Sequence, residues 1–210
     1  MNADIGKLAG ADSGRASRLL ARAFAEDPVI THFLYDRFRR RIAYPAFFRA
    51  VLEELVPCGH VYAAHDRNAL VGVAAWKPPD ASPPTAATQA AIEQQLRRVR
   101  LLFPRTSRGL FEGFASLEHF HPSAPHWYLA FVGIEPMIQS RGIGRALLAP
   151  VLETADRTGA LCYLETPFPR THAFYTSLGF ARHGEHSPFV GAPQGVVAFL
   201  RQPLTRGTAR

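Results

Sequence analysis

Six residues, Gln139-Ser140-Arg141-Gly142-Ile143-Gly144, set two glycines among polar and basic side chains just ahead of an apolar helical run. Glycine has no Cβ, so its backbone can close on an oxygen ligand. A helix N-terminus adds orphan N–H donors and the positive end of the helix dipole. Together they make a cradle for phosphate or pyrophosphate, and Arg141 and Arg145 would add charge to it. Two common phosphate devices fail on spacing. A dinucleotide fingerprint needs glycine or alanine three places after the second glycine, where Leu147 stands. A Walker loop needs a closing Gly-Lys-Ser/Thr, which does not follow.

The elements that must position this loop are readable on both sides of it. His126 to Ile134, HWYLAFVGI, is a near-continuous apolar run suited to a strand buried on both faces. Gly142 to Thr158 is predicted helical with a Thr158-Gly159 stop, and Pro150 inside it should kink the rod. Leu161 to Glu165 is a second buried strand. His172 to Leu178 is a short helix ended by Gly179, and Val196 to Leu200 is a last strand.

Upstream, Asp12 or Ser13 caps a helix to about Ala25, and Asp27-Pro28 ends it. A helix is predicted over roughly Phe38 to Val56, with Pro45 early in it. His60 to Ala64 and Leu70 to Trp76 form a hairpin around Asp66-Arg67-Asn68. Lys77 to Thr85, KPPDASPPT, is a linker, and helices follow at Ala86 to Leu102 and Ser107 to Phe120. The class is α/β with a mixed sheet. One domain is expected over residues 1–205, with Arg206 to Arg210 a frayed tail.

At this point the loop resembles the Q/R-x-x-G-x-G/A motif of the GNAT superfamily of acyl-CoA-dependent N-acetyltransferases. The resemblance runs on through the helix, the strand at Leu161 to Glu165, and FYTSLGF at Phe174 to Phe180, which is similar to the family's Leu/Phe-Tyr-x-x-x-Gly-Phe. WYLAFVGIEP, LETPFPRTHAFY and Pro150 look like the puromycin N-acetyltransferase branch. The strong similarity covers His126 to Ala181.

The resemblance implies a three-layer fold whose central sheet splays between its two middle strands, with acetyl-CoA as donor. Backbone groups of Phe131, Val132 and Ile134 would meet the pantetheine arm, and one N–H would polarise the thioester carbonyl. Gln139, Ser140, Arg141, Gly142, Ile143, Gly144 and Arg145 would hold the pyrophosphate, with Phe174 also against the cofactor. Tyr175 matches the family's general acid for the leaving thiolate. Glu165, at the end of a buried strand, is the first candidate for the base, ahead of His126, Glu118 and His119. Phe168 and Thr171 depart from the branch, where asparagines are common.

The acceptor site falls to the segments around Val29 to Tyr44 and Leu102 to Trp127, with Phe33, Tyr35, His126 and Trp127 as candidate contacts. Their aromatic content suits a moderately hydrophobic small-molecule amine. A protein lysine or N-terminal acetyltransferase, and a non-catalytic acyl-CoA-binding or regulatory module, are the competing readings. The charge of +7, from 24 Lys+Arg against 17 Asp+Glu, admits polyanionic partners. The arginines are scattered, however, so no nucleic-acid partner is expected. Cys58 and Cys162 fit no metal-site spacing, and no metal is expected. No run approaches the ~18 apolar residues of a membrane span, and the N-terminus lacks the apolar core of a secretory signal. A cytoplasmic protein is expected, with a homodimer paired through the strand from Val196 as one oligomeric form.

Overall fold

The computed structural model describes residues 3–204, so the predicted tail from Arg206 lies outside the described residues. Seven strands form one sheet in the order β1-β2-β3-β4-β5-β7-β6. They are β1 (Asp4–Lys7), β2 (Val61–Asp66), β3 (Ala69–Lys77), β4 (His126–Ile134), β5 (Leu161–Thr166), β6 (Ala181–His186) and β7 (Val196–Arg201). Neighbours pair antiparallel except β4 and β5, which run parallel. The helices are α1 (Ser13–Ala23), α2 (Pro28–Phe33), α3 (Arg37–Leu55), α4 (Ala86–Leu102), α5 (Ser107–Leu117), α6 (Ile143–Thr158) and α7 (His172–Thr176).

Side-chain alternation splits the core into two layers around the sheet. On β3, Val73 and Ala75 join a cluster with α1, α3 and α5, while Ala74 and Trp76 join one with α6 and α7. Two glycines bring helices close to the strands. A Cβ at Gly133 would lie 2.8 Å from Leu20 Cδ2 on α1, and one at Gly72 2.8 Å from Leu147 Cδ1 on α6. The β2–β3 hairpin turns through Arg67 (φ 46°) and Asn68 (φ 68°), the two left-handed residues that a tight hairpin of the right twist needs.

Four features depart from the sequence expectations. Asp27-Pro28 ends α1 but also starts α2, because Asp27 Oδ1 accepts from Val29 N (2.9 Å) and Ile30 N (2.8 Å) and proline suits the first helical position. Strands β1 and β6 were not anticipated: both are sheet edges whose sequences, DIGK and ARHGEH, lack a strong apolar pattern. The helix after β5 is shorter than expected, closing at Thr176. Finally, β7 lies between β5 and β6, so both of its edges are paired within the chain and it offers none to a second subunit.

Candidate active site

β4 and β5 hold each other for only three residue pairs, His126↔Leu161, Trp127↔Cys162 and Tyr128↔Tyr163. Beyond them β4 stays with β3 as far as Ile134, and β5 stays with β7 as far as Thr166. A bulge at Ala130, where Phe131 faces Ala75 but Leu129 faces Trp76, bends β4 at the parting point. The gap is a cleft of about 670 Å³. Phe131, Val132 and Ile134 line one wall, Leu164, Glu165 and Thr166 the other, and Tyr175 and Phe174 close one end. The strand backbone facing this gap has no β5 partner, which leaves it free to pair with an extended ligand.

The glycine loop lies along the same cleft. Ser140 (φ 64°) and Gly142 (φ 83°) are left-handed, turning the chain sharply into α6. A Cβ at Gly144 would press on Ile134 Cδ1 and Phe174 Cζ, each at 3.2 Å, so the first turn of α6 packs closely on β4 and α7 at the border of the cleft. Gln139 Nε2 donates to Ile134 O (3.2 Å) and pins the loop to the end of β4. Gln139, Ser140, Gly142, Gly144 and Arg145 all border the cleft, whereas Arg141 and Ile143 do not. Arg141 is exposed and Ile143 is core. The Arg145 guanidinium is directed to α7, donating to Ser177 Oγ (2.9 Å) and Ser177 O (3.3 Å).

A second cavity, also about 670 Å³, opens on the α3 side of the sheet. Its walls come from α3, α4 and α5, and include Phe47, Leu96, Phe111 and Phe114, with Glu118 and His121 near the base. The two cavities share Phe114, Leu117, Tyr128, Ala130 and Phe131, so they meet where β4 and β5 part. Of the expected acceptor contacts, only His126 lines this chamber. Phe33 is core against Phe189, and Tyr35 is 65% exposed. Trp127 points to the other face, where it packs in the α6 cluster and on His60. Aromatic content alone does not separate a core ring from a cavity wall, which is why these three were misplaced.

Glu165 lines the cleft, beside Tyr128 of the shared wall, with its side chain 3% exposed. Among the described residues neither carboxylate oxygen meets full hydrogen-bond geometry, although the Tyr128 and Tyr163 phenols lie close enough to interact with it and His121 Nε2 stands 3.4 Å from Oε1 without hydrogen-bond alignment. A buried carboxylate with its pairing incomplete is costly, which makes it a candidate to meet a donor from outside the chain. Tyr128 and Tyr163 flank it, and burial first, then the Glu165 charge, pushes both phenols above their ordinary range. Tyr175 is buried among Phe174, Phe180 and Phe199, and burial likewise raises its phenol, which keeps it a proton donor at neutral pH.

Sequence reasoning missed two groups. Asp27, read only as a helix stop, is 3% exposed and borders the cleft, and burial pushes it up to about 6 against the pull of its two N–H partners. His121 carried no motif, because its partners arrive from β4 and β5. The Phe168 and Thr171 positions also have a structural account. Thr171 Oγ1 donates to Phe168 O (2.8 Å) and lies 3.0 Å from Thr166 Oγ1, while Phe168 N donates to Thr166 Oγ1 (3.2 Å). Hydroxyls thus tie down the loop between β5 and α7.

A family model for the acetyltransferase (GNAT) family matches residues 29–180, spanning the splay, the glycine loop and Tyr175. The chain belongs to the GNAT acetyltransferase family. GNAT acetyltransferases use acetyl-CoA as acyl donor, and a left-handed loop opening α6 at the border of the cleft fits that cofactor's pyrophosphate. N-alpha-acetyltransferase RimI of Mycobacterium tuberculosis is 37% identical over 81 residues, covering 37% of this chain and 50% of the relative. The chain thus matches about half the length of that relative. Among solved structures, histone acetyltransferase HPA2 and related acetyltransferase from Corynebacterium glutamicum aligns with a TM-score of 0.74 at 24% identity, covering 99% of each chain. Arylalkylamine N-acetyltransferase 2 from Aedes aegypti aligns at 0.66 and 12% identity, covering 96% of this chain and 99% of that one. At these identities the two structures establish the GNAT fold.

Proposed function

We propose that this protein acetylates the primary amine of a small molecule, the amine attacking directly with donor and acceptor bound together. The observation that carries the reading is the buried Glu165 carboxylate on the cleft wall, whose neighbours Tyr128 and His121 line the second cavity. Acetyl-CoA supplies an activated thioester. Gln139, Ser140, Gly142 and Gly144 would hold its pyrophosphate, and the unpaired length of β4 at Phe131, Val132 and Ile134 its pantetheine arm. The acceptor nitrogen enters from the chamber and bonds to the acetyl carbon as the carbon–sulfur bond breaks. Glu165 takes the nitrogen's proton, and Tyr175 gives its hydroxyl proton to the departing sulfur. The flanking tyrosines keep water from the carboxylate.

The RimI match raises a protein N-terminus as the alternative acceptor. The chamber favours a small molecule: α3, α4 and α5 wall it with Phe47, Leu96, Phe111 and Phe114, a shape that suits a compact apolar amine. Thermal stabilisation by acetyl-CoA, then thiol release with a panel of arylalkyl, aliphatic and peptidyl amines, tests the reading. Tyr175→Phe should lower kcat about a hundredfold or more with acetyl-CoA binding intact, within the ~10²–10⁴ that a positioned acid contributes. Turnover at the parental rate, or acetylation confined to peptides, would reject the corresponding assignment.

A further inference from the structure

The histidines beside Glu165 carry an assignment of their own, resting on the proposal that Glu165 is the base. His126 Nδ1 lies 2.9 Å from Ala124 O, and a carbonyl can only accept, so this nitrogen carries the proton. His126 Nε2 is then a lone pair. It faces His121 Nδ1 at 3.2 Å, which must therefore be the donor. That leaves His121 Nε2 3.4 Å from Glu165 Oε1. An imidazole lone pair and a carboxylate oxygen repel each other unless a proton stands between them.

We infer that His121 is a positioning residue protonated on both nitrogens, giving its Nδ1 proton to His126 Nε2 and setting its Nε2 proton towards Glu165 Oε1. The imidazolium engages Oε1 and leaves the second oxygen, Oε2, for the acceptor nitrogen. Burial supports the order of the chain. The His121 side chain is 17% exposed and Glu165 3%, while His126 is held towards its neutral form by desolvation, with a smaller push from His121. The other ionisable groups facing His121 are the phenols of Tyr128 on β4 and Tyr163 on β5, with ring centroids at 4.4 and 4.9 Å, and Glu118 in the same chamber. Both phenols are held protonated, so neither competes for the shared proton at neutral pH.

The test uses the whole chain labelled with ¹⁵N-histidine, without substrate. In the parent at pH 7 the His121 Nε2 resonance should be that of a protonated nitrogen, and Glu165→Gln should convert it to a bare one. With an accepted amine, His121→Gln should lower kcat/KM roughly ten- to a hundredfold, part of the ~10²–10⁴ of a positioned base. It should also displace the acidic limb of the pH profile, with acetyl-CoA stabilisation unchanged. A His121 spectrum indifferent to Glu165→Gln, or superimposable pH profiles, would overturn the inference. If the parent acetylates no amine, the proposed function fails, while the histidine spectra still decide this assignment.

Discussion

The two cavities are equal in size, about 670 Å³ each, but made of different material. The cleft proposed for the donor is bordered by an unpaired length of β4, a loop turned by left-handed Ser140 and Gly142, and a glycine at 144 where a Cβ would fit only tightly. The acceptor chamber is walled by side chains projecting from α3, α4, α5 and β4. Left-handed Gly142 and close-packed Gly144 tolerate few substitutions, whereas side chains on a chamber wall can be exchanged with less disturbance of the backbone.

Mutations can break this comparison in order of expected effect. Glu165→Gln, on the cleft wall, should lower kcat/KM by about 10²–10⁴ and leave acetyl-CoA stabilisation in place; loss of that stabilisation instead would assign Glu165 to donor binding rather than proton transfer. Gly144→Val should weaken acetyl-CoA binding about ten- to a hundredfold, ~1.4–2.7 kcal/mol, with kcat at saturating donor little changed. Isothermal titration with acetyl-CoA reads this directly, and unaltered affinity would show that the backbone wall has slack.

A separate effect, on stability rather than activity, concerns Asp27, whose folded value of about 6 lies above its ordinary 3.8. The folded chain therefore holds this proton more tightly than the unfolded one, and stability falls as pH rises between those values, by up to roughly 3 kcal/mol. Asp27→Asn keeps the cap on Val29 and Ile30 and should flatten that slope. Urea titrations from pH 4 to 7 would show it, and an unchanged slope would mean that Asp27 does not contribute it.

The same contrast explains what could be read from residue order. Strand β4, helices α4 and α6, and Tyr175 after its strand are local patterns, and the glycines at 142 and 144 declare a loop that needs backbone room. Acetyl-CoA as donor follows from that contiguous stretch. The chamber has no such text. Leu96, Phe111, Phe114 and His121 become neighbours only when three helices close over β4, and any of these rings could have been core, as Phe33 is. His121 gains meaning from His126 and Glu165, one five residues on and the other on a different strand. Asp27 hid behind proline, since Asp-Pro reads equally as the end of one helix and the start of the next.

One consequence concerns synthesis. Strand β7 fills the place between β5 and β6, and its Arg201 donates to Leu178 O (2.9 Å) and through both terminal nitrogens to Asp156 (2.7 and 2.8 Å). The turn that carries Tyr175 is thus tied down by a late-emerging segment. During translation, β1 to β4 with α1 to α5 can pack early, while β5 waits with an open edge and the proton donor unseated. A nascent chain halted before Val196 would expose that edge to association, so the segment that ties down the end of α7 also closes the protein's aggregation window.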